Sequence, residues 1–390
     1  EPLPGSNTSR PPLANVIDPE LYANRALTAY AAMQDRFRRP DGLYRRERPR
    51  WPPLAEHLWP FSRALAATLD LAGMPEGLSP GFDAETEIAD RLRALERYRE
   101  RGSGAAGGYR SDVARLRPRG DYYYDDNAWV ALALVQLERM RPGSGTLERA
   151  GRVYELAGGG WDRRTDVPSP GGVFWVQQGR GAGRRNHDRN VVSNAPNAEL
   201  GLHLAELAGV GGSGEAPGRR WAVGPERMYE WVNATLDTSP DEPGGGLFRD
   251  KVGGDGSVDR ALWSYNQGTM IGANVLLARR TEGSIRALHL RRAELIARRS
   301  LKHYDGAWQR QPADFNAILF HNLLLLHALA EDAALGEAIL AALRECAELA
   351  WLASLTAGGR RRTVTLRHQA AVVQLNALLA WSPGAYDRLA

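Results

Sequence analysis

The sequence predicts an all-α fold, an (α/α)6 barrel of about twelve helices in six hairpins with a few short loop strands. Three observations carry this. Apolar residues recur at spacings of three and four in twelve successive blocks, strand signals are few and short, and long glycine-rich connections alternate with tight ones. That alternation is expected when one rim of a helical array carries function and the other only closes turns. An open array of the same hairpins is the alternative, while the lack of a residue repeat of fixed period argues against a consensus solenoid.

Residues 1–17, rich in Pro, Ser and Asn, read as a disordered or extended lead-in, and 18–390 as one domain. The helical blocks run over 19–37, 56–74, 83–99, 125–141, 145–157, 189–209, 224–238, 260–280, 284–303, 313–331, 334–355 and 365–381. Asp18 before Pro19 reads as an N-cap followed by a proline at the first helical position, and Gly73 and Gly209 read as stops. Strand signals fall at Gly171–Val176 and Gly246–Arg249, each long enough only for a hairpin arm or loop strap. The long connections cover 100–121, 158–188 and 239–259, the tight ones 281–283 and 332–333.

Hydrophobic and charged fractions of 43% and 25% are ordinary globular values. No apolar run approaches the roughly 20 residues that cross a bilayer, so no integral membrane segment is expected. A net charge of +4 raises the question of nucleic acid, but the arginines are scattered among acids. The nearest patches, Arg45-Arg46 with Arg48 and Arg50 and Arg360-Arg361-Arg362, lack interleaved stacking aromatics and read as solvated loops. Only Lys251 and Lys302 are lysines, a compositional habit rather than a binding signal. Cys346 stands alone, which excludes an intrachain disulfide and a thiolate metal cluster, and its apolar helical setting reads as core. One cysteine fits cytosolic and secreted enzymes alike, and a start at Glu1 without methionine reads as trimmed, so localisation stays open.

The most telling stretch is Tyr122-Tyr123-Tyr124-Asp125-Asp126-Asn127, which runs into an apolar helix. Asp and Asn at a helix start can simply satisfy orphan N–H groups and complement the dipole. The company of three tyrosines and Trp129 argues for more. If the hairpins close into a barrel, helix starts and long loops converge on one mouth. Its lining would include Trp59-Pro60-Phe61, Tyr122 to Asn127, Trp161, Gly171-Gly172 through Trp175, Asn194 and Asn197, Leu247-Phe248, Trp263 with Tyr265, Asn266 and Gln267, and Asp305 to Trp308. For any one of these aromatics, core packing is the better explanation. Together, apolar faces with interspersed amides and carboxylates suit a sugar, which offers C–H patches and a ring of hydroxyls.

A glycosidase needs one carboxyl protonated and another ionised. Neighbours in mid-helix point about 100° apart, but at a first turn both can face one cleft. Two close carboxylates cannot both ionise easily, so one pKa rises while the helix dipole keeps the other charged. The pair would then supply an acid and a nucleophile, with the short separation of roughly 5 Å that goes with retention. Trp129 is expected to point into the helical body.

Tyr124-Asp125-Asp126-Asn127-Ala128-Trp129 resembles the catalytic signature of glycoside hydrolase family 76, the endo-α-1,6-mannanases. The resemblance extends in family order to Leu58-Trp59-Pro60-Phe61, the Gly-Gly-aromatic-Trp stretch at 171–175, Asn194-Ala195-Pro196-Asn197 and Tyr265-Asn266-Gln267-Gly268. It implies an (α/α)6 barrel and a retaining hydrolase of α-1,6-linked mannan, working through a covalent mannosyl-enzyme. Asp125 would be the nucleophile and Asp126 the acid/base. Trp59, Tyr124, Asn127, Trp175, Asn194, Asn197, Tyr265, Asn266, Gln267 and Asp314 would bind the mannan or manno-oligosaccharide. No metal or other cofactor, no nucleic acid and a monomer are expected. Two departures stand out: Phe174-Trp175 where the family often has Trp-Trp, and Asp314-Phe315-Asn316-Ala317-Ile318 where it has a Phe-Lys-Gly type segment. The second removes a charged side chain near the cleft.

A transglycosidase of the same family would share the intermediate and differ only in acceptor. A sugar epimerase or isomerase on the same barrel would draw its acid and base from His57, His187, His203, His303, His321, His327 or His368. A non-catalytic glycan-binding protein would keep the aromatic mouth but has no need of adjacent aspartates. Terpene-cyclase chemistry wants an Asp where Trp129 stands. His187 with Asn186 and Asp188 lacks a third ligand for a metal and reads as a solvated loop.

Overall fold

Alternate helices are apolar on every side, and this decides the architecture. In the computed structural model, residues 17–46, 54–99, 107–113, 120–208, 221–238, 244–356 and 364–390 are described. They contain twelve α-helices: α1 (Pro19–Phe37), α2 (Leu58–Ala72), α3 (Ala84–Leu95), α4 (Tyr124–Met140), α5 (Leu147–Gly159), α6 (Val191–Leu207), α7 (Pro225–Leu236), α8 (Ser264–Arg280), α9 (Gly283–Tyr304), α10 (Ala313–His327), α11 (Ala333–Thr356) and α12 (Leu366–Ala380). The sequence blocks match them one for one. Residues 1–16 of the expected lead-in, the stop at Gly209, and Arg48, Arg50 and Arg360 to Arg362 lie outside the described residues.

In α4 every residue from Asn127 to Leu137 is buried, and in α10 every residue from Asn316 to Leu326. A helix that is apolar all round must be enclosed. The even-numbered helices accordingly form a closed inner ring: α2 packs on α4, α4 on α6, α6 on α8, α8 on α10, α10 on α12, and α12 on α2. The odd-numbered helices are amphipathic and lie outside. In α9 only Ala293, Ile296, Ala297, Ser300 and Tyr304 are buried, a single stripe facing α8. This is the (α/α)6 barrel.

Asp70 ties four inner helices together inside the ring. Gln136 Nε2 donates to its Oδ1 at 2.8 Å, Gln374 Nε2 to its Oδ2 at 2.9 Å, and His321 Nε2 lies 2.9 Å from the same oxygen. At the helix ends, Asp18 caps α1 by accepting from Glu20 and Leu21 N–H. Gly73 does follow α2, but its φ is −87°. Glycine is required there because the Trp381 indole lies where a Cβ would stand.

Strands form beside the expected segments rather than in them. The one small sheet among the described residues pairs Arg189–Asn190 with Lys251–Val252 and that with Val258–Asp259, all antiparallel. Gly171–Val176 makes only single bridges, Val173 to Trp161, Phe174 to Arg189 and Val176 to Tyr123, and Phe248 bridges Asp237. The reason lies in Gly171 and Gly172, at φ +92° and +82°, where the chain turns tightly beneath the Trp161 and Trp231 rings instead of extending.

The connections leading from an outer to an inner helix carry the long loops, so the N-termini of the inner helices share one rim. Trp129, the sixth residue of α4, lies beneath it with 3% exposure, flanked by Trp59 at 5.8 Å and Tyr265 at 6.4 Å, with the Arg63 guanidinium 5.4 Å over its ring. Trp129→Ala should cost roughly 3–5 kcal/mol, the usual range for emptying a buried aromatic site. Urea unfolding would measure it, and a loss under about 1 kcal/mol would remove Trp129 from the supports of the rim.

Candidate active site

The mouth is built from the second and third residues of the inner helices. The second residues of α2, α4, α8, α10 and α12 are Trp59, Asp125, Tyr265, Asp314 and Arg367. In the first turn no intrahelical partner takes up the backbone N–H groups, and every inner helix directs its positive end to this rim. An anionic group there is stabilised from several sides.

Asp125 and Asp126 follow Tyr124, the first residue of α4, and Tyr123 is the N-cap, without a side-chain cap bond. Both aspartates are half-buried rather than turned into the core. Trp175 Nε1 donates to Asp125 Oδ2 at 3.0 Å, while Oδ1 is buried with no hydrogen-bond partner. Burial pushes the Asp125 carboxyl up to about 6, against the pull of the Trp175 indole and the N–H groups of the first turn. Asp126 is driven up too, by burial and then by the negative charge of Asp125, and finds no comparable donor. One carboxyl is thus readier to ionise and the other readier to hold a proton.

The strap that carries Trp175 is fixed to this helix start. Tyr124 N–H donates to Trp175 O at 3.0 Å, Gln177 N–H to Tyr122 O at 2.9 Å, and the Tyr123 and Trp175 rings meet at 5.0 Å. Asp188 O accepts from Trp175 N–H at 2.8 Å and the Asp188 carboxylate pairs with Lys251 at 2.7 Å, so this loop anchors the strap. His187 Nδ1 lies 2.5 Å from Gln178 Oε1.

Three of the expected sugar-binding amides turn out to hold loops. Asn127, Asn194 and Gln267 are each the fourth residue of an inner helix, in α4, α6 and α8. Each accepts from the N–H and donates to the C=O of one residue in a rim loop. Asn127 clasps Tyr109 at 2.6 and 2.8 Å, Asn194 clasps Val173 at 2.7 and 3.1 Å, and Gln267 clasps Phe248 at 2.8 and 3.0 Å. An amide presents the same donor and acceptor to a backbone as to a sugar. Asn197 is wholly buried, its Nδ2 donating to Tyr124 O at 3.3 Å and to Ser193 O at 2.9 Å. Tyr124 is buried against Gly160, whose added Cβ would meet its ring. Leu247, Phe248, Phe61 and Trp308 are core residues, and Trp161 packs at the base of the strap.

The remaining expected residues stay at the mouth. Tyr265 meets Phe315 edge-on at 4.0 Å, Phe315 reaches Trp263 at 5.7 Å and Trp59 at 6.4 Å, and Tyr265 feels the charges of Asp250, Asp125 and Asp314. Asn266 donates to Asp250 Oδ1 at 3.2 Å. Asp250 is a third carboxyl that sequence reading missed. It is 8% exposed, pushed up to about 6 by burial, and close enough to raise Asp125 as well. It sits in a glycine-rich connection beside Lys251, a setting in which an acidic residue carries no signal of its own. Arg63 and Arg367 were also missed, though a buried charge inside the apolar α2 was a signal for Arg63. Among the described residues no group of three His, Cys, Asp or Glu side chains could hold a metal ion.

A closed ring of six inner helices with two unequal carboxyls in one aromatic mouth defines a glycan-processing (α/α)6 enzyme. The chain belongs to glycosyl hydrolase family 76, whose sequence model matches residues 99–378, and it is a glycoside hydrolase. No curated protein matches it. Similar solved structures include a family 76 mannosidase from Bacteroides thetaiotaomicron VPI-5482 at 20% identity and a TM-score of 0.72, covering 92% of this chain and 98% of that one. Another is an inactive variant of the α-1,6-mannanase of Salegentibacter sp. HEL1_6, with two adjacent aspartates replaced by asparagine, in complex with α-1,6-mannotriose. It is 17% identical, with a TM-score of 0.64 and coverage of 93% and 99%. Dfg5 from Chaetomium thermophilum in complex with glucosamine is 15% identical, with a TM-score of 0.65 over 94% of this chain and 92% of that one.

Proposed function

We propose that this glycoside hydrolase cleaves α-1,6-linked mannan with retention of configuration, Asp125 acting as nucleophile and Asp126 as acid/base. The observation that carries the reading is the adjacent pair in the first turn of α4, with Asp126 under more pressure to stay protonated than Asp125. The Asp125 carboxylate attacks the anomeric carbon while its bond to the leaving oxygen breaks, and the Asp126 proton passes to that oxygen. The Asp126 carboxylate then takes a proton from water, whose oxygen attacks the same carbon and frees Asp125. Trp175 holds Asp125 through its indole, and Trp59, Tyr265 and Trp263 offer faces for sugar C–H patches. Asp250 adds an acceptor for a sugar hydroxyl. The mannan substrate is supported by the mannotriose held in the Salegentibacter relative. Packing of α1 on α12, from opposite ends of the chain, supports residues 18–390 as one catalytic domain.

The test is hydrolysis of α-1,6-mannan followed by proton NMR of the first product. The α-anomer should appear first and mutarotate; the β-anomer first would overturn retention, and no cleavage of any α-1,6-mannan would overturn the substrate. The rate should rise with pH through about 6, as Asp125 ionises, and fall again at higher pH as Asp126 loses its proton. A rate still at its maximum at pH 4 would contradict the need for an ionised Asp125.

A further inference from the structure

A cavity of about 640 Å³ opens on the rim, walled by Trp263 before α8, the connection at 308–312, the first turns of α10 and α12 and the C-terminal half of α11. This lies within the roughly 300–1,000 Å³ range of small-molecule sites. It does not include Asp125 or Asp126. Aromatic contacts link the two: Phe315 packs against Trp263 of the cavity wall at 5.7 Å and against Tyr265 at 4.0 Å, and Tyr265 feels both Asp125 and Asp314. The cavity and the pair therefore flank one aromatic edge.

Two buried acceptors in the cavity wall lack hydrogen-bond partners. Asp314, 2% exposed, has an Oδ2 with no hydrogen bond, the Arg367 Nη1 being 3.6 Å away. Asn316 is the fourth residue of α10, the position from which Asn127, Asn194 and Gln267 close both halves of a clasp. Its Nδ2 donates to Trp308 O at 3.0 Å, yet its Oδ1 has no partner. A buried acceptor left without a hydrogen bond keeps its full desolvation penalty, so the site favours a ligand that brings donors. Arg310 and Arg367 in the same wall can donate in return, and Trp263 offers an apolar face. Hydroxyl donors and acceptors around an apolar ring face describe a neutral sugar.

We propose that this cavity is a remote sugar subsite, holding a further unit of the glycan whose scissile linkage lies at Asp125 and Asp126. The inference rests on the mannan-hydrolase reading above, and it makes the enzyme selective for chains long enough to pass the Phe315 edge. Ala350, a buried residue of α11 in the cavity wall, allows the space to be filled without substituting any residue of the mouth, and Ala353 does so from an exposed position if the first variant folds poorly.

The experiment compares wild type, Ala350→Trp and Ala353→Trp on α-1,6-mannohexaose and on an aryl α-1,6-mannobioside, with melting curves to establish folding. Filling the cavity should raise KM for the hexaose about tenfold and leave kcat on the aryl substrate unchanged. A folded filling variant that hydrolyses both like wild type would overturn the subsite. If wild type cleaves neither compound, the hydrolase reading fails on its own. Calorimetric titration with mannohexaose then decides the cavity: binding lost on filling supports it, and binding retained overturns it.

Discussion

Asp125→Ala should lower kcat on α-1,6-mannan by a factor on the order of 10⁴ or more, the scale of losing a nucleophile, while the protein keeps its fold. Asp125 is half-buried in the first turn of α4 and its carboxyl accepts from the Trp175 indole, while Asn127, Asn194 and Gln267 make the clasps that hold the rim loops, so these do not depend on it. Azide makes the assignment sharper. A small anion in the space left by Asp125 attacks the anomeric carbon from the nucleophile's face, and the product expected is the β-mannosyl azide. An α-azide from this variant, or residual activity within about tenfold of wild type, would show that Asp125 does not attack the sugar.

Asp126→Ala should slow the natural substrate by about 10²–10⁴, the usual worth of a general acid/base, and much less with a dinitrophenyl leaving group that needs no proton. Here azide should intercept the mannosyl-enzyme and return the α-azide, the opposite anomer to that from Asp125→Ala. Equal losses with good and poor leaving groups would reverse the assignment. Stability responds as well. A carboxyl whose folded pKa is raised lends stability that is fully present below its unfolded value, about 4, and lost as pH rises through the folded value. Both aspartates are raised, so both cost stability at neutral pH. Asp126→Asn is therefore expected to melt at a higher temperature than wild type at pH 7.5 and to match it near pH 4. A lower melting temperature at pH 7.5 would mean that the Asp126 carboxylate is held by favourable partners.

The carboxyl pair also explains why its surroundings are so heavily tied. Two raised carboxyls in one turn favour any motion that lets water in, and the strap over them is fixed at Tyr122, Tyr124, Gly160 and Asp188 by backbone bonds and at Val173 by Asn194. Rigid support of this kind holds the turn against that tendency.

The sequence by itself determined the helices and the pair. Periodicity at 3.6 residues is a local property, so all twelve segments could be read within a few residues of their ends, and the alternation of loop lengths favoured a ring over an open array, which the packing of α12 on α2 decides. Asp125 and Asp126 were legible because adjacent acids beside tyrosines are costly unless used. Only the tertiary structure decided what the amides and the remaining charges do. Asn127, Asn194 and Gln267 carry the same groups whether they meet a sugar or a backbone, and the choice was made by loops arriving from outside each helix. Asp250 became a third carboxyl of the mouth because a glycine-rich connection folds back onto Asn266, and Asp314 and Asn316 face a cavity because α10, α11 and α12 leave one there. Local pattern fixes which turns form; which side chains remain without partners depends on contacts between segments distant in the chain.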